Sequence, residues 1–173
     1  TLLPAVRLGC RVVFADSERG SLGLSLEDVL RRLTPATRVV VVCHAYGNPV
    51  DVEGLREVCR DKGLFLLEDL SHAPGALLGG KPVGSFGHMS FMSMQANKLV
   101  SGGEGGVVLT DDPELYARAM ALGQPKRLFR LPPEWAALSE VSQGFKFRIS
   151  ALHALLARRS LGRLDAQNSI REE

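Results

Sequence analysis

Apolar positions along the chain follow two alternating rhythms. Arg11 to Ala15 (RVVFA), Arg38 to Cys43 (RVVVVC), Leu64 to Glu68, Met89 to Met94 and Gly106 to Thr110 are short apolar runs that predict strands. Between them the spacing changes to that of a helix. Leu2, Leu3, Ala5, Val6 and Leu8 form a first helix ending near Gly9. Leu26, Val29, Leu30 and Leu33 share one helical face behind a cap at Ser25, with Asp28 strengthening the cap and Pro35 as a stop. Asp51 caps a third helix with Val52, Leu55, Val58 and Cys59 inward, ending near Gly63. Asp112 and Pro113 open a fourth with Leu115, Ala119 and Leu122 inward. A last helix starts near Ala151 behind Ser150, with Leu152, Leu155, Leu156 and Leu164 as its apolar positions.

Strand and helix alternate with short connections, which predicts a parallel sheet with helices packed on it. The unbroken β-branched run RVVVVC predicts a strand buried on both faces. Residues 76–87 are rich in glycine and read as turns with a short hairpin. Residues 124–147, with Pro125, Pro132, Pro133 and Trp135, read as an irregular loop. The chain opens at TLLPAVRLGC without an initiator Met and stops at SIREE inside a helical pattern, which leads to the expectation of a piece of a longer protein.

Composition narrows the classes. At 45% hydrophobic and 23% charged residues, the 173-residue chain is globular and long enough for a real core. A net charge of +2 offers nothing to a nucleic acid or a membrane surface. No apolar run is long enough to span a bilayer. Cys10, Cys43 and Cys59 form no paired or metal-binding spacing; Cys43 and Cys59 read as buried thiols, and a reducing, cytoplasmic setting follows. The four histidines show no metal pattern.

The chemistry concentrates between Leu64 and Gly106. In parallel α/β sheets ligands bind beyond the carboxyl ends of the strands. Asp69, His44 and Ser93 stand at or just past such ends. Lys98 follows the apolar strand and precedes Gly102, Gly103, Glu104, Gly105 and Gly106. Glycines permit close backbone approach to a ligand, although this run matches no standard phosphate-loop pattern and could be only a turn. Most lysines are solvated surface residues, most lone histidines are structural, and an Asp can be a turn cap. A lysine and a buried-strand carboxylate together are what pyridoxal phosphate chemistry needs: the amine forms a Schiff base, and the carboxylate keeps the pyridine nitrogen protonated. Glu68 would satisfy backbone or support the site from behind. His72, three residues past Asp69, would share its side of one helical turn. Ser93 would donate to a phosphate oxygen. Glu104 would pin its loop or reach a neighbouring subunit. His88 and His153 read as structural.

The blocks HAYGNPVD, LEDLSHAPGA, SFMSMQANKLVSGGEGGVVLTDD and FKFRISALHALLARRSLGRLD, in that order, resemble the DegT/DnrJ/StrS family of fold-type-I, pyridoxal phosphate-dependent sugar aminotransferases. The resemblance covers nearly the whole chain. It implies a three-layer αβα domain with a mostly parallel sheet, of which residues 1–173 are the central part. It also implies pyridoxal 5'-phosphate as cofactor, a nucleotide-linked keto sugar as acceptor, an amino acid such as glutamate as donor, and a homodimer. By position, Lys98 resembles the Schiff-base lysine, Asp69 the partner of the pyridine nitrogen, His72 the residue beside the ring's phenolic oxygen and Ser93 a phosphate ligand. The family's Asn in an N-Y-R segment is replaced here by Lys146 in Lys146-Phe147-Arg148. Two other classes stay open: another fold-type-I reaction such as a lyase or desulfurase, and a truncated or non-catalytic relative.

Overall fold

A computed structural model describes residues 1–124, 132–141 and 145–172. It divides into two compact units, Thr1–Met92 and Ser93–Glu173.

The first unit carries α1 (Leu3–Arg7), α2 (Leu26–Arg32), β1 (Val39–Cys43), α3 (Glu53–Lys62), β2 (Phe65–Asp69), the hairpin strands β3 (Leu77–Leu78) and β4 (Lys81–Pro82), and β5 (Met89–Ser93), whose last residue opens the second unit. β1 pairs with β2 and β2 with β5, both in parallel. The register sets Cys43 opposite Asp69 and Asp69 opposite Phe91, so the carboxyl ends of these strands lie side by side. The helices that return the chain are stopped as the sequence predicts. Gly63 closes α3 in the left-handed conformation (φ 62°, ψ 35°), which costs glycine little. Val29, Val40, Val42, Val52, Leu55, Cys59, Leu66 and Phe86 belong to one buried cluster. The predicted hairpin is present, with Leu77 opposite Pro82 and Leu78 opposite Lys81.

Five expectations need correction in this unit. No strand forms over residues 11–15; a strand needs a neighbour, and the nearest pairing is a single bridge between Ser17 and Leu24, leaving Val13 and Phe14 exposed. β1 is covered on one face only: Val40 and Val42 are buried, whereas Val39 and Cys43 are exposed. Cys59 is the buried thiol that was expected, and Cys43 is not. Ser25 caps α2 by accepting from the Asp28 N–H, but the Asp28 carboxylate accepts instead from the Asp16 N–H and pairs with Arg31 and Arg32. The helix after Asp51 has Val52 as its cap residue, while the Asp51 carboxylate takes the Glu53 N–H.

The second unit carries β6 (Gly106–Leu109), α4 (Pro113–Gly123), a 3-10 stretch over Pro133–Val141, α5 (Ala151–Leu161) and α6 (Leu164–Glu172). Asp112 caps α4 by accepting from the Glu114 and Leu115 N–H groups, with Pro113 at the first turn. Its buried stripe is Ala117 and Ala121, not the Leu115–Leu122 face, and Leu122 is exposed. The single last helix is two helices, and Leu152, Leu155 and Leu156 of α5 are exposed while Ala157 is buried. A small residue faces inward because α5 lies tight on the glycine run, as described below. Of the irregular 124–147 segment, Pro125 lies outside the described residues, and Trp135 falls in the 3-10 stretch. No helix among the described residues is long and apolar enough to cross a membrane.

Candidate active site

Asp69 ends β2 and is 4% exposed. Its Oδ1 accepts the Ser71 N–H at 2.9 Å, and its Oδ2 accepts the Thr1 hydroxyl at 2.6 Å. Burial alone would push the carboxyl upward. The hydrogen bonds from Ser71 and Thr1 overcome this and hold it below the usual carboxylate range. Asp69 is therefore a buried, ionised carboxylate at the carboxyl end of a parallel strand. The Ser71 hydroxyl adds a further hydrogen bond to this carboxylate.

His72 does not share a helical turn with Asp69. Residues 70–73 form a turn closed by the Ala73 N–H on the Leu70 carbonyl, and His72 is exposed. Its ring lies 6.0 Å from that of Tyr46, tilted by 44°. The Ser71 backbone, rather than His72, reaches the Asp69 carboxylate.

His44 is placed away from any crevice. It is fully buried, its Nδ1 accepts the Val50 N–H at 3.0 Å, and its Nε2 meets Glu68 Oε2 at 3.1 Å. A ring that accepts at Nδ1 carries its proton at Nε2, so Nε2 donates to Glu68. Glu68, also fully buried, accepts the N–H groups of Gly84 (2.7 Å), Phe86 (2.9 Å) and Gly87 (2.5 Å). It serves the backbone, as the sequence reading held.

In the second unit, Ser93 and Lys98 flank a loop fixed to α5. The Lys98 N–H donates to the Gln95 carbonyl, and the Gln95 N–H meets Ser93 Oγ at 3.4 Å. The Ser101 N–H donates to Ser160 Oγ, and that hydroxyl donates to the Leu99 carbonyl. Val100, two residues past the lysine, is buried. The loop returns alongside the strand end, with Gly102 donating to the Met94 carbonyl and Met94 to the Gly105 carbonyl. Lys98 itself is half-buried, and among the described residues it has no ion-pair partner. An amine presented by a fixed backbone and left unpaired suits a group that must bond covalently.

Packing constrains these glycines. A Cβ on Gly102 would sit 2.7 Å from the His153 carbonyl oxygen and 3.2 Å from Ala157 Cβ; one on Gly105 would sit 2.8 Å from Ile149 Cδ1. Gly103 and Gly105 also have φ of 86° and 133°. Protein packing and backbone geometry thus favour glycine at 102, 103 and 105. Glu104 is exposed and, among the described residues, has no ion-pair partner, so it does not pin the loop. His88 and His153 are structural: His88 Nδ1 accepts the Leu66 N–H, and His153 bonds Ser150. Among the described residues no group of three or more His, Cys, Asp or Glu could hold a metal ion.

Sequence reasoning missed Thr1 and Tyr46. The partner of a carboxylate 68 positions away leaves no local signal. Tyr46 was hidden inside an ordinary loop, although its neighbour Gly47 marks a turn.

The chain is 38% identical to GDP-perosamine synthase from Vibrio cholerae over 68% of its length and 32% of that protein's. It is 37% identical to L-glutamine:2-deoxy-scyllo-inosose aminotransferase from Streptomyces kanamyceticus over 92% of its length and 38% of that protein's. Among solved structures it matches DesI, determined in the presence of its TDP-sugar product, with a TM-score of 0.79 and 34% identity over 94% of this chain and 40% of that one. The mostly parallel α/β fold expected from the sequence is the fold of these structures. The chain spans about a third of the length of these curated relatives. The DegT/DnrJ/EryC1/StrS aminotransferase family model matches residues 1–173, and the chain belongs to that family.

Proposed function

We propose that the protein is a pyridoxal phosphate-dependent aminotransferase that moves an amino group from an amino acid such as glutamate onto a nucleotide-linked keto sugar, with residues 1–173 forming the central part of its large domain. The observation that carries this reading is Asp69, a buried carboxylate held below the usual carboxylate range at a strand's carboxyl end. Such a group fits a protonated pyridine nitrogen. Lys98, half-buried and without an ion-pair partner among the described residues, fits the aldehyde end.

When bound, the cofactor supplies an electron sink for the donor's Cα–H bond. Asp69 holds the proton on the pyridine nitrogen, because separating an ionised, desolvated carboxylate from a cation is costly. Lys98 Nζ would hold the cofactor's aldehyde end and, as a free amine, would serve as the base for the donor's Cα proton. Ser93 would donate to its phosphate, and His72 would stand beside its ring. A homodimer acting in the cytoplasm completes the reading, which the relatives' names support for the acceptor: one makes perosamine as a GDP derivative, and another was solved with a TDP-sugar product.

The test is spectroscopic. The full-length protein mixed with pyridoxal phosphate should turn yellow, and Lys98→Ala should not. Adding glutamate or glutamine should convert the visible band to the pyridoxamine form. A yellow protein that neither donor converts is not an aminotransferase, and a colourless one is a non-catalytic relative.

A further inference from the structure

Tyr46 occupies a backbone conformation that its residue type disfavours. Its φ of 57° and ψ of 18° are left-handed, and Gly47 follows at φ 85°. The Asn48 N–H closes this turn on the Ala45 carbonyl at 3.0 Å. Two successive left-handed residues are where Asn-Gly is at ease, and a bulky side chain there is an outlier. The strain is not repaid by burial, because Tyr46 is 78% exposed. The flanks hold the turn rigidly in place. His44 is locked by Glu68 and Val50, Val50 is buried, and the Asn48 amide donates to the Ser21 carbonyl.

The turn stands directly past the carboxyl end of β1, whose neighbour β2 ends at Asp69; the His44 N–H donates to the Asp69 carbonyl at 3.1 Å. Tyr46 therefore faces the side of the sheet where ligands bind, with its ring beside the exposed His72. Leu22, also left-handed and exposed, differs in closing a turn over residues 18–23. Strain at a solvent-facing aromatic residue just past the carboxyl end of a parallel strand is what a ligand-contacting position requires.

We propose that Tyr46 positions the amino acceptor, its ring packing against the polyhydroxylated six-membered ring and its hydroxyl bonding a sugar hydroxyl. The choice of ligand rests on the aminotransferase reading. The chemistry is common to nucleotide-linked keto sugars and to free keto-cyclitols, so both serve as probes. A flat aromatic face offers an apolar surface to ring C–H groups, and the phenol supplies one donor and one acceptor.

The full-length protein is titrated by calorimetry with a GDP-linked 4-keto-6-deoxy sugar, a dTDP-linked one and 2-deoxy-scyllo-inosose. The best-bound probe should lose affinity on the order of tenfold in Tyr46→Ala. Tyr46→Phe should lose less. Tyr46→Gly relieves the backbone, so it should melt no lower than the parent and still bind as poorly as Tyr46→Ala. In turnover, the acceptor KM should rise while the amino-donor KM stays put. Unchanged affinity in Tyr46→Ala, no binding of any probe by the parent, or a change in oligomeric mass without a change in affinity would each overturn the proposal. Its failure is distinct from failure of the aminotransferase reading, which would show as a missing or donor-inert visible band.

Discussion

His44 and Glu68 form a buried pair in which the ring, held as the Nε2–H tautomer by the Val50 N–H, donates to a carboxylate that also accepts three backbone N–H groups. The pair ties the end of β1 to β2 and both to the 84–87 loop. Removing the carboxylate strands four donors in a dry interior, and each unsatisfied donor costs about 1–3 kcal/mol. Glu68→Ala should therefore be among the most damaging single changes in the fold, lowering the melting temperature of the full-length protein by more than ten degrees or abolishing its expression. His44→Ala should cost less, since it strands only the Val50 N–H and one carboxylate lone pair. Together the two changes should cost clearly less than their sum, because they act on one interaction. Strict additivity in thermal melts would show that the pair does not act as a unit.

The same carboxylate sets an acid limit. Burial pushes the Glu68 carboxyl up, but the hydrogen bonds from His44, Gly87 and Gly84 outweigh it and hold the group below its ordinary value. Asp69 is displaced the same way. A folded pKa below the unfolded one contributes stability that is complete above the unfolded value and is lost as pH falls through the folded one. The melting temperature should hold down to about pH 5 and then fall steadily, since unfolded Asp and Glu titrate near 4. In Glu68→Gln the starting temperature should be lower and the acid slope shallower. An equally steep slope in that variant would assign the acid limit to other groups.

Asp69→Asn separates charge from shape. Asparagine keeps an acceptor for the Ser71 N–H and fills the same volume, so the fold should survive. It cannot stay anionic beside a pyridine nitrogen, and the donor half-reaction should slow by on the order of a hundredfold or more, in line with the loss of an oriented electrostatic group. Thr1→Val is the graded companion. It removes one hydrogen bond to the carboxylate and should move the acid limb of the rate profile to higher pH. Full activity in Asp69→Asn would remove Asp69 from the chemistry.

These tests rest on features of uneven legibility. The parallel alternation, the caps at Ser25, Asp112 and Ser150, and the stop at Gly63 follow from local chemistry, and local chemistry was enough to read them. Asp69 and Lys98 could be picked out because a strand end and a glycine run flag themselves within a few residues. What escaped was non-local. Whether RVVFA pairs depends on a neighbour, and whether β1 is covered on one face or two depends on what packs above it. The inward stripe of α5 was misread because leucine usually marks the buried side, whereas here close approach demanded alanine. His44 was assigned to the crevice by its place at a strand end, and only the partner Glu68 reveals that it points inward.

That close approach gives a last test, in the loop that carries the lysine. Gly102 shows no left-handed φ, so an alanine there meets no backbone strain of its own. Its added methyl would lie 2.7 Å from the His153 carbonyl oxygen, which is helix backbone and cannot swing aside, and 3.2 Å from Ala157 Cβ. The overlap must be relieved by lifting α5 from the loop or by shifting the loop itself, at a cost of about 1–3 kcal/mol. Either movement disturbs the Ser160 hydroxyl that ties Leu99 and Ser101, just past the lysine's turn. Gly102→Ala should thus lower the melting temperature and also slow formation of the visible band with pyridoxal phosphate, although it touches no ligand. Gly63→Ala is the control. An alanine there meets no atom within 4 Å but must adopt φ of 62°, so it should destabilise without changing the rate of band formation. Equal effects of the two changes on that rate would show that the packing of α5 on the loop does not govern the lysine.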